Sequence, residues 1–176
     1  MKEIEVKILD VNRSEMEAKL LELGAILHFD GELSAVFFDF PDKRIRESKG
    51  VLRLRKEGEK VMLTHKTQLS QEGVKIMDEK EVSVGEAAKM QEILLNLGME
   101  IVKSTRKIRA EYLLGTAKVL FDDYKDELDF IPVFIEIEAH SEEEVYAIAE
   151  KLGYKREDCN SWNTWEVTEH YKKLSN

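Results

Sequence analysis

Met1-Lys2-Glu3-Ile4-Glu5-Val6-Lys7 decides the fold. Glu3, Glu5 and Lys7 occupy every second position, and Ile4, Val6 and Ile8 alternate with them, which is the period of a strand with one ionised face. On a helix the three charges would point in different directions. On a strand they share a face, roughly 7 Å apart along it. One such pair says little in a chain in which 36% of residues are charged. Recurrence gives it weight: Arg53 and Arg55 alternate with Leu52 and Leu54, Thr64 and Lys66 follow Leu63, and Glu79 and Glu81 precede Val82. Lys107 and Arg109 flank Ile108, and Glu136 and Glu138 alternate with Ile135 and Ile137.

In an ordinary antiparallel sheet these charges would form the wet outer face. Two features of the set argue otherwise. Several faces carry a single sign, and adjacent like charges cost stability unless an opposite charge or a ligand offsets them. The chain also contains amphipathic helices that need apolar partners outside the sheet. A closed barrel with a polar interior and helices on an apolar exterior satisfies both.

The helices are marked by their ends. Leu23-Gly24, Leu97-Gly98 and Leu152-Gly153 read as three C-terminal glycine stops. The first helix starts near Arg13 behind an Asn12…Glu15 capping box and presents Met16, Leu20 and Leu23; the second presents Ala87, Met90, Leu94 and Leu97. The third starts at Ser141 with Glu144 three residues on and presents Val145, Ile148, Ala149 and Leu152. A last helix is expected over 164–174. Strands are expected over 25–30, 34–40, 51–57, 60–67, 75–84, 100–106, 107–114, 118–124 and 133–139, with polar loops at 41–50 and 69–73. The strand–helix–strand order at the start of each half points to an internal duplication.

The 176 residues fit one domain, with no Pro-rich or low-complexity linker. A formal charge of −9 and a single cysteine, Cys159, argue against general attraction to nucleic acid or anionic membrane and against an internal disulfide. No leading apolar segment reads as a signal peptide or membrane span, so a cytoplasmic protein is expected.

Any anionic ligand must then be held locally. Lys7, Arg53, Arg55, Lys66, Lys107 and Arg109 offer cations, and the arginine fork matches phosphate oxygens two at a time. Glu3, Glu5, Asp122, Glu136 and Glu138 offer oxygen ligands for a hard divalent ion, Mg²⁺ or Mn²⁺, and no Cys/His spacing for zinc is present. Cations and carboxylates facing one cavity point to a metal-bound polyphosphate.

Glu3-x-Glu5-x-Lys7 resembles the hallmark of the CYTH family, the triphosphate tunnel metalloenzymes that include class IV adenylyl cyclases and thiamine triphosphatases. The resemblance continues through Phe37 to Asp42, Leu52-Arg53-Leu54-Arg55, Leu63-Thr64-His65-Lys66, Glu79-Lys80-Glu81, Lys107-Ile108-Arg109 with Tyr112, Phe121-Asp122 and Phe134 to Glu138. It covers nearly the whole chain and implies a single CYTH domain over 1–176, α+β in class, built on a closed eight-stranded antiparallel tunnel. It further implies a small-molecule triphosphate as ligand, with no nucleic-acid or membrane partner, in a monomer or homodimer. Carried over, Lys7, Arg53, Arg55, Lys66, Lys107 and Arg109 grip phosphate oxygens, and Glu3, Glu5, Glu136 and Glu138 hold Mg²⁺ or Mn²⁺. Asp122 shares a metal or orients water, placing it with Glu3 and Glu5 in the catalytic set. Glu79 and Glu81 match acidic positions of the family or hold the arginines in place by ion pairing. The chain departs from the family at Leu33, Ser34 and Ala35, where polar or acidic residues are common, and at Met77 and Asp78, where an arginine is.

His28, His65, His140 and His170 show no catalytic spacing, and Lys43, Arg44 and Arg46 read as solvated loop charge. Trp162, Trp165 and Tyr171 are expected to pack the last helix on the barrel. Three functions fit one charged tunnel: hydrolysis at a phosphoanhydride, cyclisation of ATP to cyclic AMP with release of pyrophosphate, and polyphosphate binding without turnover. Hydrolysis is the first expectation because it needs only metal, cations and an oriented water.

Overall fold

The computed structural model describes residues 2–174. Eight strands, β1 (Lys2–Ile8), β2 (Ile26–Asp39), β3 (Gly50–Glu57), β4 (Lys60–Ser70), β5 (Lys75–Ser83), β6 (Glu100–Leu114), β7 (Ala117–Tyr124) and β8 (Phe134–Ala139), close into an antiparallel barrel in the order β1-β5-β4-β3-β2-β6-β7-β8. Exchanging β1 with β5, β2 with β6, β3 with β7 and β4 with β8 leaves that ring unchanged. The duplication read from the chain is thus expressed as a two-fold topology.

The barrel is inverted relative to a soluble sheet with a wet outer face. On β1 the apolar positions Ile4, Val6 and Ile8 are buried on the outside, in a core with Val119, Phe121, Ile135 and Ile137. Two helices add to that core. α1 (Arg13–Glu22) contributes Met16 and Leu20, and Asn12 caps it by accepting from the Glu15 backbone N–H at 3.3 Å. A further helix (Glu142–Lys151), capped by Ser141 through the Glu144 N–H at 3.2 Å, contributes Val145, Ile148 and Ala149. A second cluster, Phe38, Leu52, Leu54 and Val61, lies beneath the helix Ala87–Asn96 and takes its Leu94. A third holds Tyr124, Phe134, Val167 and Tyr171 and seats the terminal helix Thr164–Leu174.

Several expected boundaries change. The pieces 25–30 and 34–40 are one strand, β2, and 100–106 and 107–114 are one strand, β6. Gly31 and Arg109 sit opposite each other inside a continuous β2–β6 ladder, and bulges near Leu27/Phe29 and Phe37/Phe38 absorb the irregularity. The loop 41–50 contains a short helix, Arg44–Glu47, which makes five α-helices among the described residues: α2 is this one, α3 is Ala87–Asn96, α4 is Glu142–Lys151 and α5 is Thr164–Leu174. Buried Asp39 holds α2 by accepting from the backbone N–H groups of Ile45 and Arg46, both at 3.0 Å. Leu23 and Leu97, the C-cap residues of α1 and α3, are not on the buried stripes, and Leu97 is 66% exposed, whereas Leu152 in the same position on the Glu142–Lys151 helix is buried. Tyr171 packs as expected, but Trp165 stays half exposed, with the Arg46 guanidinium 5.1 Å from its ring centroid. Among the described residues no helix is long and apolar enough to cross a membrane.

Candidate functional site

Strand register assembles the site from the alternation in the sequence. Antiparallel pairing sets Glu5 opposite Glu138 and Lys7 opposite Glu136 across β1 and β8. It sets Lys66 opposite Glu79 and Thr64 opposite Glu81 across β4 and β5, and Arg109 opposite Asp122 across β6 and β7. Directly opposed side chains on one face meet, so Lys7–Glu136, Lys66–Glu79 and Arg109–Asp122 become oppositely charged neighbours while Glu5 and Glu138 bring two carboxylates together. Glu3, Glu5, Lys7, Arg53, Arg55, Lys66, Lys107, Arg109, Asp122, Glu136 and Glu138 all line one cavity of about 1560 Å³. That exceeds the roughly 300–1,000 Å³ of a pocket for a drug-sized molecule.

The interior divides into three neighbourhoods. In the first, Arg109 grips Asp122 through Nε at 2.6 Å and a terminal nitrogen at 2.7 Å, and reaches Glu136 at 2.9 Å. Lys107 adds a 2.5 Å contact to Asp122, and Lys7 is paired with Glu136 and, at 3.0 Å, with Glu5. Burial opposes ionisation throughout, but the pairing prevails for most groups. Burial lowers the Lys7 pKa, yet Glu136 and Glu5 outweigh it and raise the net value. Burial raises that of Glu136, yet Lys7, Arg109 and Lys107 hold it well below the usual carboxylate range. Lys107 is the exception, since burial and the Arg109 charge bring it down to about 8 despite Asp122.

In the second, Lys66 bridges Glu3 and Glu79, the latter at 2.8 Å. Glu81 accepts from Thr64 at 2.7 Å and from Arg55 at 3.3 Å. The Nε atoms of Arg53 and Arg55 are buried without a hydrogen-bond partner, and burial together with Arg53 lowers the pKa of Arg55. Both arginines line the cavity, and a buried donor left without a partner is a costly arrangement.

In the third, Glu3, Glu5 and Glu138 bring one carboxylate oxygen each to within 4.8 Å of the others. Burial, Glu3 and Glu136 push the Glu138 carboxyl up to about 8, and the Lys118 ammonium stands 4.0 Å away. Three converging carboxylates form a hard oxygen donor set that fits Mg²⁺ or Mn²⁺ and lacks the nitrogen and sulfur donors zinc favours. Asp122 and Glu136, expected to share in metal binding, stand outside this cluster with their oxygens on Arg109, Lys107 and Lys7.

The sequence reading missed Lys75. It lines the cavity and donates to Glu5 Oε1 at 2.7 Å. Its signal was parity, because residue 75 shares the inward phase of Glu79 and Glu81 on β5. It also missed that β2 turns the apolar Leu33 and Phe37 into the cavity, Leu33 opposite Glu57 and Lys107 and Phe37 opposite Arg53 and Lys103 on the neighbouring strands.

A closed barrel whose interior holds paired cations, two unpartnered guanidinium nitrogens and a carboxylate triad defines a charged tunnel. The chain belongs to the CYTH family: the model of the CYTH domain matches residues 1–159. It is 27% identical over 138 residues, 78% of this chain and 77% of the other, to a Methanocaldococcus jannaschii protein named "Putative adenylate cyclase MJ0240". Among solved structures it resembles the PH1012 protein of Pyrococcus horikoshii, with a TM-score of 0.78, 25% identity, and coverage of 94% of this chain and 98% of that one. It also shares its fold with the HpAC1 protein of Hippeastrum, described as a "Putative adenylyl cyclase" that "reveals a dominant triphophatase activity", with a TM-score of 0.71, 18% identity, and coverage of 96% and 95%.

Proposed function

We propose that the protein is a metal-dependent triphosphatase, binding a triphosphate along the tunnel and hydrolysing one phosphoanhydride bond. The observation that carries this reading is the pair of buried, unpartnered Nε donors of Arg53 and Arg55 in the same cavity as the Glu3–Glu5–Glu138 triad. Arg53, Arg55, Lys66, Lys107 and Arg109 hold phosphate oxygens and fix the chain of phosphorus atoms against the wall. Asp122 and Glu136 position Arg109, Lys107 and Lys7, since their oxygens are already committed to those cations. Glu3, Glu5 and Glu138 hold Mg²⁺ or Mn²⁺, which supplies Lewis-acid neutralisation of charge on the phosphoryl oxygens. Water attacks the terminal phosphorus in line with the bridging oxygen, the bond to that oxygen breaks, and the proton leaves to solvent. All of this uses groups the tunnel already presents.

Cyclisation is a second reading, favoured by the apolar face that Leu33 and Phe37 give one wall and consistent with the name of the archaeal relative. It requires a ribose hydroxyl aimed at the α-phosphorus. Incubation with tripolyphosphate, thiamine triphosphate and ATP, each with Mg²⁺ or Mn²⁺, followed by product separation, decides between them. Orthophosphate release supports hydrolysis, cyclic AMP with pyrophosphate replaces it by cyclisation, and binding without turnover removes the enzymatic reading.

A further inference from the structure

Glu5 carries two ammonium groups on one oxygen. Lys75 donates to its Oε1 at 2.7 Å and Lys7 donates to the same atom at 3.0 Å. Register explains the crowding: on β5 Lys75 lies directly opposite Glu5, as Glu138 does on the β8 side. Glu5 therefore has a cation on one flank and a carboxylate on the other. The two lysines differ in what each retains if Glu5 is withdrawn. Lys7 keeps its ion pair with Glu136, whereas Lys75 has no other acidic partner among the described residues.

We propose that Lys75 is a displaceable counter-cation that couples metal binding to anion binding. In the empty tunnel it neutralises Glu5. When a divalent ion binds among Glu3, Glu5 and Glu138, Lys75 gives up that carboxylate, and its freed ammonium joins the cations that hold phosphate. The inference rests on the metal-and-triphosphate reading above. Its physical basis is that a divalent ion and an ammonium competing for one buried carboxylate repel strongly in a poorly screened interior. Lysine carries its charge on a flexible four-carbon stem and can move it without moving the strand. Since Lys75 lines the same cavity as Arg53 and Arg109, the displaced charge stays beside the ligand. Metal alone then binds against an unrelieved positive charge. Metal with a polyanion does not, and the coupling is reciprocal.

The test is calorimetric titration of Mn²⁺ and tripolyphosphate, singly and together, with their association in solution measured and subtracted, on the wild type, Lys75→Met and Lys75→Arg. Lys75→Met is expected to bind Mn²⁺ alone roughly tenfold more tightly, to bind tripolyphosphate less tightly in saturating Mn²⁺, and so to lose several-fold coupling. Lys75→Arg keeps the charge and is expected to keep the coupling. Unchanged or weakened Mn²⁺ binding in Lys75→Met overturns the proposal, and Lys75→Gln serves if the methionine variant does not fold. Glu138→Gln separates the two levels: if wild-type Mn²⁺ binding is absent or indifferent to that change, the metal site itself is wrong and the role of Lys75 goes with it.

Discussion

Arg109 and Asp122 are direct partners across β6 and β7 and share two near-parallel hydrogen bonds of 2.6 and 2.7 Å inside the barrel. Both are buried, so the pair is defined by what its loss would strand. Asp122→Asn keeps the shape but leaves Arg109 and Lys107 without their principal counter-charge. Breaking a buried pair from one side costs about 3–5 kcal/mol. The expected result is a fall in melting temperature of roughly 6–20 °C for a domain of this size. Tripolyphosphate should recover part of that loss, because its oxygens replace the missing charge. Thermal denaturation with and without the ligand checks both statements.

Arg55 is expected to behave in the opposite way. Its guanidinium has one 3.3 Å contact to Glu81, a carboxylate already served by Thr64 at 2.7 Å, and it faces the charge of Arg53. Arg55→Gln should leave the ligand-free protein as stable as the wild type or more so, while weakening its response to ligand. Tripolyphosphate at about 100 times its dissociation constant should stabilise the wild type by about 2.7 kcal/mol. A large loss of ligand-free stability with an undiminished ligand response would make Arg55 a structural residue.

The alternation of charge fixed the barrel from sequence because a strand's two-residue period leaves no freedom about which side chains share a face. It placed Glu3, Glu5, Arg53, Arg109 and Glu138 in one cavity before any pairing was known. Which charges meet was not legible, since partners such as Glu5 and Lys75 are 70 residues apart and meet only through register. Metal roles blurred for the same reason: Asp122 and Glu138 look alike in sequence, yet one is held by Arg109 and Lys107 while the other lies with Glu3 and Glu5. The break placed near Gly31 failed because a glycine inside a long strand resembles a turn until its ladder partner is seen, and Arg106 likewise lies in the unbroken β2–β6 ladder, opposite Ser34.

Asp39 offers a test of the tunnel mouth. Its carboxylate receives three backbone N–H groups, from Phe40 at 2.7 Å and from Ile45 and Arg46 at 3.0 Å, and so fixes the turn that carries Lys43 and Arg46 to the cavity rim. Asp39→Ala leaves those donors unserved at a cost of about 1–3 kcal/mol. Limited trypsin digestion should then cut within 43–49 faster than in the wild type, while the far-ultraviolet circular dichroism of the barrel is retained. Equal cleavage rates would mean that α2 is held by something other than Asp39.

Glu138 makes ligand-free stability depend on pH with a definite sign. Its carboxyl is pushed up from 4.5 to about 8 by burial and by the charges of Glu3 and Glu136. A folded-state value above the unfolded one means that the native protein binds the extra proton more tightly across that interval. Its stabilising contribution is therefore complete below about pH 4.5 and is lost as pH rises towards 8. Lys107, lowered from 10.5 to about 8, acts with the opposite sign, and only at higher pH. Between pH 5.5 and 8 the metal-free wild type should lose stability to urea more steeply than Glu138→Gln, whose amide does not titrate. Saturating Mg²⁺ or Mn²⁺ should remove most of the difference, because a cation stabilises the ionised carboxylate that burial disfavours. Parallel pH profiles for the two proteins without metal would show that Glu138 ionises freely in the folded state, without the burial and carboxylate repulsion that favour a cation beside it.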